Sequence, residues 1–193
     1  MCISQAELWC LEGCFLADKE QQLKENLVTE RSVLKVIRKQ AYVCKVQYYN
    51  RTGLLHYSFT HSGAYGKNDC EASLIDMMND AVEDLRQKYI KLIYQEYETG
   101  KEAYCKDLPN HLKPFECILS KSKSGFLVGD QISFADYNLF DLMLNNKVLC
   151  STLLDSFPTL KSYVDKIAAR PKIKALLECE SFKKLPINGN GKQ

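Results

Sequence analysis

One stretch constrains this chain more than any other: Gly129-Asp130-Gln131-Ile132-Ser133-Phe134-Ala135-Asp136-Tyr137. Ser133 followed three residues later by Asp136 is a capping-box pattern, with Asp in the usual Glu place. The Ser133 hydroxyl can take the orphan N–H of Asp136. The Asp136 carboxylate can reach back to the N–H of Ser133 and favours the positive end of the helix dipole. Ile132 and Tyr137 stand where a hydrophobic staple would pack. The residues that follow are apolar on nearly every side: Phe134, Ala135, Tyr137, Leu139, Phe140, Leu142, Met143 and Leu144. A helix of that kind is buried inside a core. The spacing therefore predicts a central helix from Ser133 to about Asn146, at the heart of an α-helical domain.

The chain has 193 residues, enough for one large domain or two small ones. A formal net charge of +2 and the absence of any Lys/Arg stripe argue against a nucleic-acid partner. No apolar run reaches transmembrane length, and no basic-then-apolar leader opens the sequence, so neither a membrane nor secretion is expected. The nine cysteines include no Cys-x-x-Cys pair and none beside a His at ligand spacing. Reduced thiols and no metal are the expectation.

Residues 1–26 carry helical spacing through Ala6, Trp9, Cys10, Cys14 and Phe15. Residues 40–49 and 54–61 are β-branched and aromatic, and the Asn50-Arg51-Thr52-Gly53 turn joins them into a predicted hairpin. A Gly-containing connector runs from Ser62 to Cys70. A long helix is predicted from Glu71 to about Glu98, with Asp84, Arg86 and Lys88 on its polar face and Gly100 as its stop. A second is predicted over 101–120, broken or kinked at Pro109 and Pro114. Two more open at Pro158 and Pro171, and the tail from Leu185 is loop. His56, His61 and His111 form no metal set and read as surface residues.

The Gly-Asp-x-Ile-Ser-Phe-Ala-Asp-Tyr stretch resembles the N-capping box and staple of cytosolic glutathione S-transferases. The tail Leu185-Pro186-Ile187-Asn188-Gly189-Asn190-Gly191-Lys192-Gln193 is similar to the C-terminus of the pi class. The close match runs from about Tyr65 to Gln193. It implies a thioredoxin-like α/β N-terminal domain over 1–64, here divergent and incomplete, followed by an all-helical domain over 65–193. It also implies a cytoplasmic homodimer that joins glutathione, as co-substrate, to small hydrophobic electrophiles in detoxification, with no other cofactor.

Carried over residue by residue, Tyr94 and Ile90 match an apolar acceptor pocket on the long helix, and Asn188 and Gly189 match its C-terminal wall. Tyr94 and Ile90 are four apart, hence on one helix face, where a phenol can stack on an aromatic acceptor and donate to developing charge. Plain core packing is the alternative for both. Asp84 matches the aspartate that reaches the glutathione of the other subunit, with Arg86 near the same interface. A solvated mixed-charge face is the alternative there. The glutathione site departs from the family pattern. The Tyr-Phe-Pro motif is absent, and spacing back from Leu16-Ala17-Asp18 puts Cys2 in the Tyr position. No proline precedes Pro109, so the cis-proline loop is absent too, as is the Gln-Ser pair. No catalytic residue is matched, and Cys2 is the candidate by position alone. Two readings follow: a pi-class-like transferase, or a catalytically inactive scaffold of the same fold that binds ligands or proteins.

Overall fold

A computed structural model describes residues 64–184 and 186–192. The helix expected over 1–26, both predicted strands, Cys2, His56 and His61 lie outside the described residues, as does the thioredoxin-like half. What is described is all-helical. In chain order the elements are α1 (Asp69–Tyr94), α2 (Tyr97–Lys121), α3 (Phe134–Leu149), a short 3-10 turn (Leu153–Ser156), α4 (Pro158–Ala168), α5 (Pro171–Glu178) and α6 (Glu180–Lys183).

The central-helix expectation holds. α3 buries thirteen of its sixteen residues and packs against α1 and α4. Phe134, Leu139, Phe140, Leu142 and Met143 are almost wholly enclosed and join Val82, Leu108, Leu112, Leu160, Ile167, Ile173 and Leu176 in one continuous core. Burying a side chain of this kind is worth about 1.5 to 3 kcal/mol, so this contiguous cluster is what holds the helices together.

α1 begins two residues earlier than its apolar pattern suggests, because Asn68 caps it. The Asn68 side-chain oxygen accepts the N–H of Glu71 at 2.9 Å, and the Glu71 carboxylate accepts the N–H of Lys67 at 2.8 Å. Its end is also not where the sequence put it. The chain leaves the helix at Gln95 and Glu96, and Gly100 lies inside the first turn of α2. A Cβ on Gly100 would stand 3.0 Å from the Leu92 side chain. The glycine permits the close approach of two helices rather than stopping one of them.

α2 runs unbroken through Pro109 and Pro114. Each proline removes one helical hydrogen bond, yet Leu108, Leu112, Phe115 and Leu119 around them are buried, and that packing outweighs the loss. The prolines at 158 and 171 open α4 and α5 at their first helical positions, as expected. α4 has no side-chain cap of its own. Instead the Glu116 carboxylate, from α2, accepts the N–H groups of Thr159 at 2.9 Å and Leu160 at 2.7 Å.

Two further expectations are overturned. Arg86 is buried, not part of a solvated face. Cys105 and Cys150 are joined by a disulfide across 45 residues, where reduced thiols were expected. Neither cysteine carries a local motif. Their Cα atoms come within 6.2 Å because the fold brings the first half of α2 to the residue that ends α3.

Candidate functional site

The Ser133–Asp136 motif builds a closed structural hub. Asp136 Oδ2 accepts the Ser133 N–H at 2.8 Å and the Ser133 hydroxyl at 2.7 Å. Oδ1 accepts the N–H of Leu127 at 2.9 Å and the Tyr163 hydroxyl at 3.2 Å. The capping box is therefore formed, and the same carboxylate also pins the preceding loop and α4. Gly129, at φ +64°, makes the turn into it, with the Glu71 carboxylate pressed against the space a side chain would need. Burial pushes the Asp136 carboxyl above its ordinary value, while its donors pull it back. With every acceptor site occupied and no exposed surface, the group can hold a helix but cannot meet a substrate.

Arg86 sits in a second closed cluster between α1 and α3. Its guanidinium reaches Asp141 at 3.1 Å, the Asn138 side-chain oxygen at 2.7 Å and the Asn138 carbonyl at 3.0 Å. The Asn138 amide in turn donates to Asn79 at 2.9 Å and Glu83 at 2.7 Å. The sequence carried a signal for this cluster. Asn79, Glu83 and Arg86 recur at helical spacing on α1, and Asn138, Asp141 and Asn145 interrupt an otherwise apolar α3 at matching intervals.

The accessible chemistry lies at the C-terminal end of α1, where the tail returns. The Tyr94 hydroxyl accepts the N–H of Gly189 at 3.1 Å, and its side chain remains 42% exposed. Asn188 is buried. Its amide donates to the Tyr89 hydroxyl at 2.8 Å and to the Lys192 carbonyl at 2.7 Å. Asn190 donates to the Ile93 carbonyl at 2.8 Å. Gly191, at φ +73°, returns its N–H to the Asn188 carbonyl at 3.0 Å, so the tail is a tight loop folded on the helix end. Lys192 closes it, 3.1 Å from the Glu98 carboxylate and 4.9 Å above the Tyr97 ring.

Of the residues singled out from sequence, Tyr94, Gly189 and Asn188 are thus brought together. Ile90 lies one turn before Tyr94 and is partly exposed. Asp84 is exposed on α1, about 15 Å along the helix from Tyr94 at 1.5 Å per residue. It does not join the Tyr94 cluster within this chain.

The profile "Glutathione S-transferase, C-terminal domain" matches residues 83–180. Glutathione S-transferase P of Homo sapiens is 50% identical over 190 residues, covering 92% of this chain and 90% of that protein. The chain belongs to the glutathione S-transferase family, pi class. Glutathione S-transferase P 1 of Bufo bufo is 47% identical over 189 residues, with the same coverage of each chain. The solved pi-class glutathione S-transferase of Onchocerca volvulus aligns with a TM-score of 0.70 at 38% identity, covering 74% of this chain and 70% of that one. Coverage of 92% also means that the likeness to the human protein continues into the first 64 residues.

In this glutathione S-transferase, sequence reasoning missed Tyr89, Tyr104, Asn190 and Lys192 as supports of the tail. Tyr104 donates to the Asn146 side chain at 2.9 Å, and its ring meets Tyr89 edge-on at 6.5 Å between centroids. The tail's Asn-Gly-Asn-Gly run signalled a turn. Nothing local said which helix end it would reach. Among the described residues, no group of His, Cys, Asp and Glu could hold a metal, and no helix is long and apolar enough to cross a membrane.

Proposed function

We propose that this glutathione S-transferase conjugates the glutathione thiol to hydrophobic electrophiles, with Ile90, Tyr94, Asn188 and Gly189 shaping the acceptor pocket. The observation that carries the proposal is the Tyr94–Gly189 hydrogen bond on a half-exposed ring. Because the phenol oxygen accepts there, its O–H remains a donor. The ring face offers stacking to an aromatic electrophile, and the O–H stabilises negative charge as the thiolate adds and the leaving group departs. The group that stabilises the thiolate belongs to the first 64 residues, read as a thioredoxin-like domain ahead of the helical one over 65–193. Cys2 is the candidate by position. Glutathione is co-substrate, and no further cofactor or metal enters.

The working form is a cytoplasmic homodimer. α1 carries Leu74, 42% exposed, and Met77, 58% exposed, in helical register with Ala81 and Asp84. Two large apolar side chains left open on one helix face favour a second copy over solvent. Asp84, farther along that face, then reaches the glutathione of the partner subunit.

The deciding experiment is calorimetric titration of glutathione into folded full-length protein, followed by turnover with an aryl halide. Saturable binding and conjugate formation are expected. No heat at millimolar glutathione, with apolar ligands still bound, would replace this reading with the inactive scaffold.

A further inference from the structure

The Cys105–Cys150 disulfide joins two elements that also support the tail. Cys105 follows Tyr104 on α2. Cys150 closes α3, its N–H donating to the Asn146 carbonyl at 2.8 Å. Asn146 is also the residue that the Tyr104 hydroxyl grips at 2.9 Å. The last turn of α3 is therefore held from α2 twice, once by sulfur and once by the tyrosine. From Tyr104 the contacts continue to the Tyr89 ring, from the Tyr89 hydroxyl to the Asn188 amide, and from the adjoining Gly189 N–H to Tyr94. Burial keeps the Tyr104 phenol protonated far above ordinary pH, so this contact does not itself titrate.

We propose that Cys105 and Cys150 are a reversible redox pair that sets how firmly the C-terminal tail is held on α1. The proposal touches the transferase reading only because that tail is the suggested acceptor wall. Both cysteines are partly exposed, which leaves the pair open to a small-molecule disulfide such as glutathione disulfide. One cysteine thiolate attacks a sulfur of that disulfide, and one glutathione thiolate leaves. The second cysteine thiolate then attacks the mixed disulfide, the protein S–S bond forms and the second glutathione thiolate departs. Two protein thiols lose two electrons and two protons, and one glutathione disulfide becomes two thiols. A dithiol reverses the sequence. Opening the bond leaves the last turn of α3 tied to α2 by the Tyr104 hydroxyl and by the apolar packing of the shared core. The Tyr89 ring then has a looser neighbour, and Asn188 a looser anchor.

The test uses full-length protein equilibrated either with glutathione disulfide or with dithiothreitol. Peptide mapping by mass spectrometry should find Cys105 and Cys150 linked in the first and alkylated in the second, with exposed Cys70 and Cys117 as references. Amide hydrogen exchange over 186–192 should be about threefold or more faster in the reduced protein, because local opening then costs less. Cys150→Ser should exchange like the reduced protein under both conditions. Tyr89→Phe keeps the disulfide but removes the acceptor for Asn188, so its tail exchange should no longer follow the redox state. Two results overturn the proposal: no linked peptide after treatment with glutathione disulfide, or equal tail exchange in the linked and reduced wild-type protein. If Cys150→Ser does not fold, the wild-type comparison decides alone. Neither readout needs glutathione binding or turnover, so a failed transferase reading leaves the outcome interpretable.

Discussion

Asp136 and Tyr94 are the polar groups at the ends of two packed helices, and they are finished differently. Asp136, in the first turn of α3, is fully enclosed, and its two oxygens take donors from the cap, the preceding loop and α4. Tyr94, at the last position of α1, takes one backbone N–H from the tail and keeps an open ring face. A polar group that is saturated and dry can only stabilise. A group with unused donor capacity at the surface can still bind something. The motif most easily recognised in the sequence is therefore a folding device, and the residues available to a ligand lie where the chain folds back on itself.

The sharpest way to break this comparison is at Asp136. Asp136→Ala strands the N–H groups of Ser133 and Leu127 and the Ser133 hydroxyl in a dry interior, at about 1 to 3 kcal/mol for each group left unpaired, while the Tyr163 hydroxyl keeps the residue's backbone carbonyl at 3.0 Å. A total loss of about 4 kcal/mol is expected from the midpoint of chemical denaturation. Ser133→Ala keeps the carboxylate and should cost only about 1 kcal/mol. If the two variants cost the same, Asp136 is an ordinary cap and not a hub.

Arg86 extends the same argument. Arg86→Met fills much of the volume but leaves Asp141 and Glu83 buried beside an apolar chain. Removing one partner of a buried ion pair typically costs about 3 to 5 kcal/mol. We expect about 3 kcal/mol by denaturation, slightly below the Asp136 effect because Asn138 and Asn145 still donate into the cluster. A loss under about 1 kcal/mol would mean that the cluster is hydrated rather than closed.

These two sites also show what could be read in advance. The capping box, the proline starts of α4 and α5, and the apolar run of α3 are local patterns, so sequence alone located them. Arg86 was misread because one residue's polarity says nothing about its partner 55 positions away on α3. Gly100 was misread because its role is a close approach to Leu92 on another helix, although glycine is also an ordinary stop signal. Cys105 and Cys150 carry no spacing motif. Tyr94, Asn188 and Gly189 were singled out by resemblance to a family, and the fold brings them together at the end of α1, which periodicity alone could not foretell.

Tyr94→Phe tests the open side of the comparison. The Gly189 N–H that loses its acceptor is exposed, so water can replace the phenol. Stability should change by less than about 0.5 kcal/mol. Conjugation of aryl electrophiles should fall severalfold while glutathione binding is unchanged. A stability loss above about 1 kcal/mol with unaltered turnover would make Tyr94 a packing residue like its neighbours.

The smallest effect separates burial from hydrogen bonding as the cause of the Asp136 behaviour. Asp107 also has polar partners: the Asn110 amide donates to it at 3.1 Å, and the His111 ring lies 2.9 Å away. Unlike Asp136 it stands in water, and its carboxyl is held below the ordinary value, chiefly by Asn110 and then by His111. The two carboxylates therefore shift in opposite directions, because desolvation dominates one and partners dominate the other. Their linkage to folding has opposite signs as well. The depressed Asp107 contributes stability above its unfolded value, about pH 3.9, and loses it as pH falls through the folded value. The raised Asp136 favours the folded state more on the acid side, and that contribution is lost as pH rises through its folded value. Carbon-detected NMR of the two side-chain carboxyls should give a midpoint below the ordinary range for Asp107 and above it for Asp136. In Asp107→Asn the denaturation midpoint should drop slightly near neutral pH and match wild type in acid. Midpoints shifted in the same direction would mean that hydrogen bonds, rather than enclosure, govern both groups.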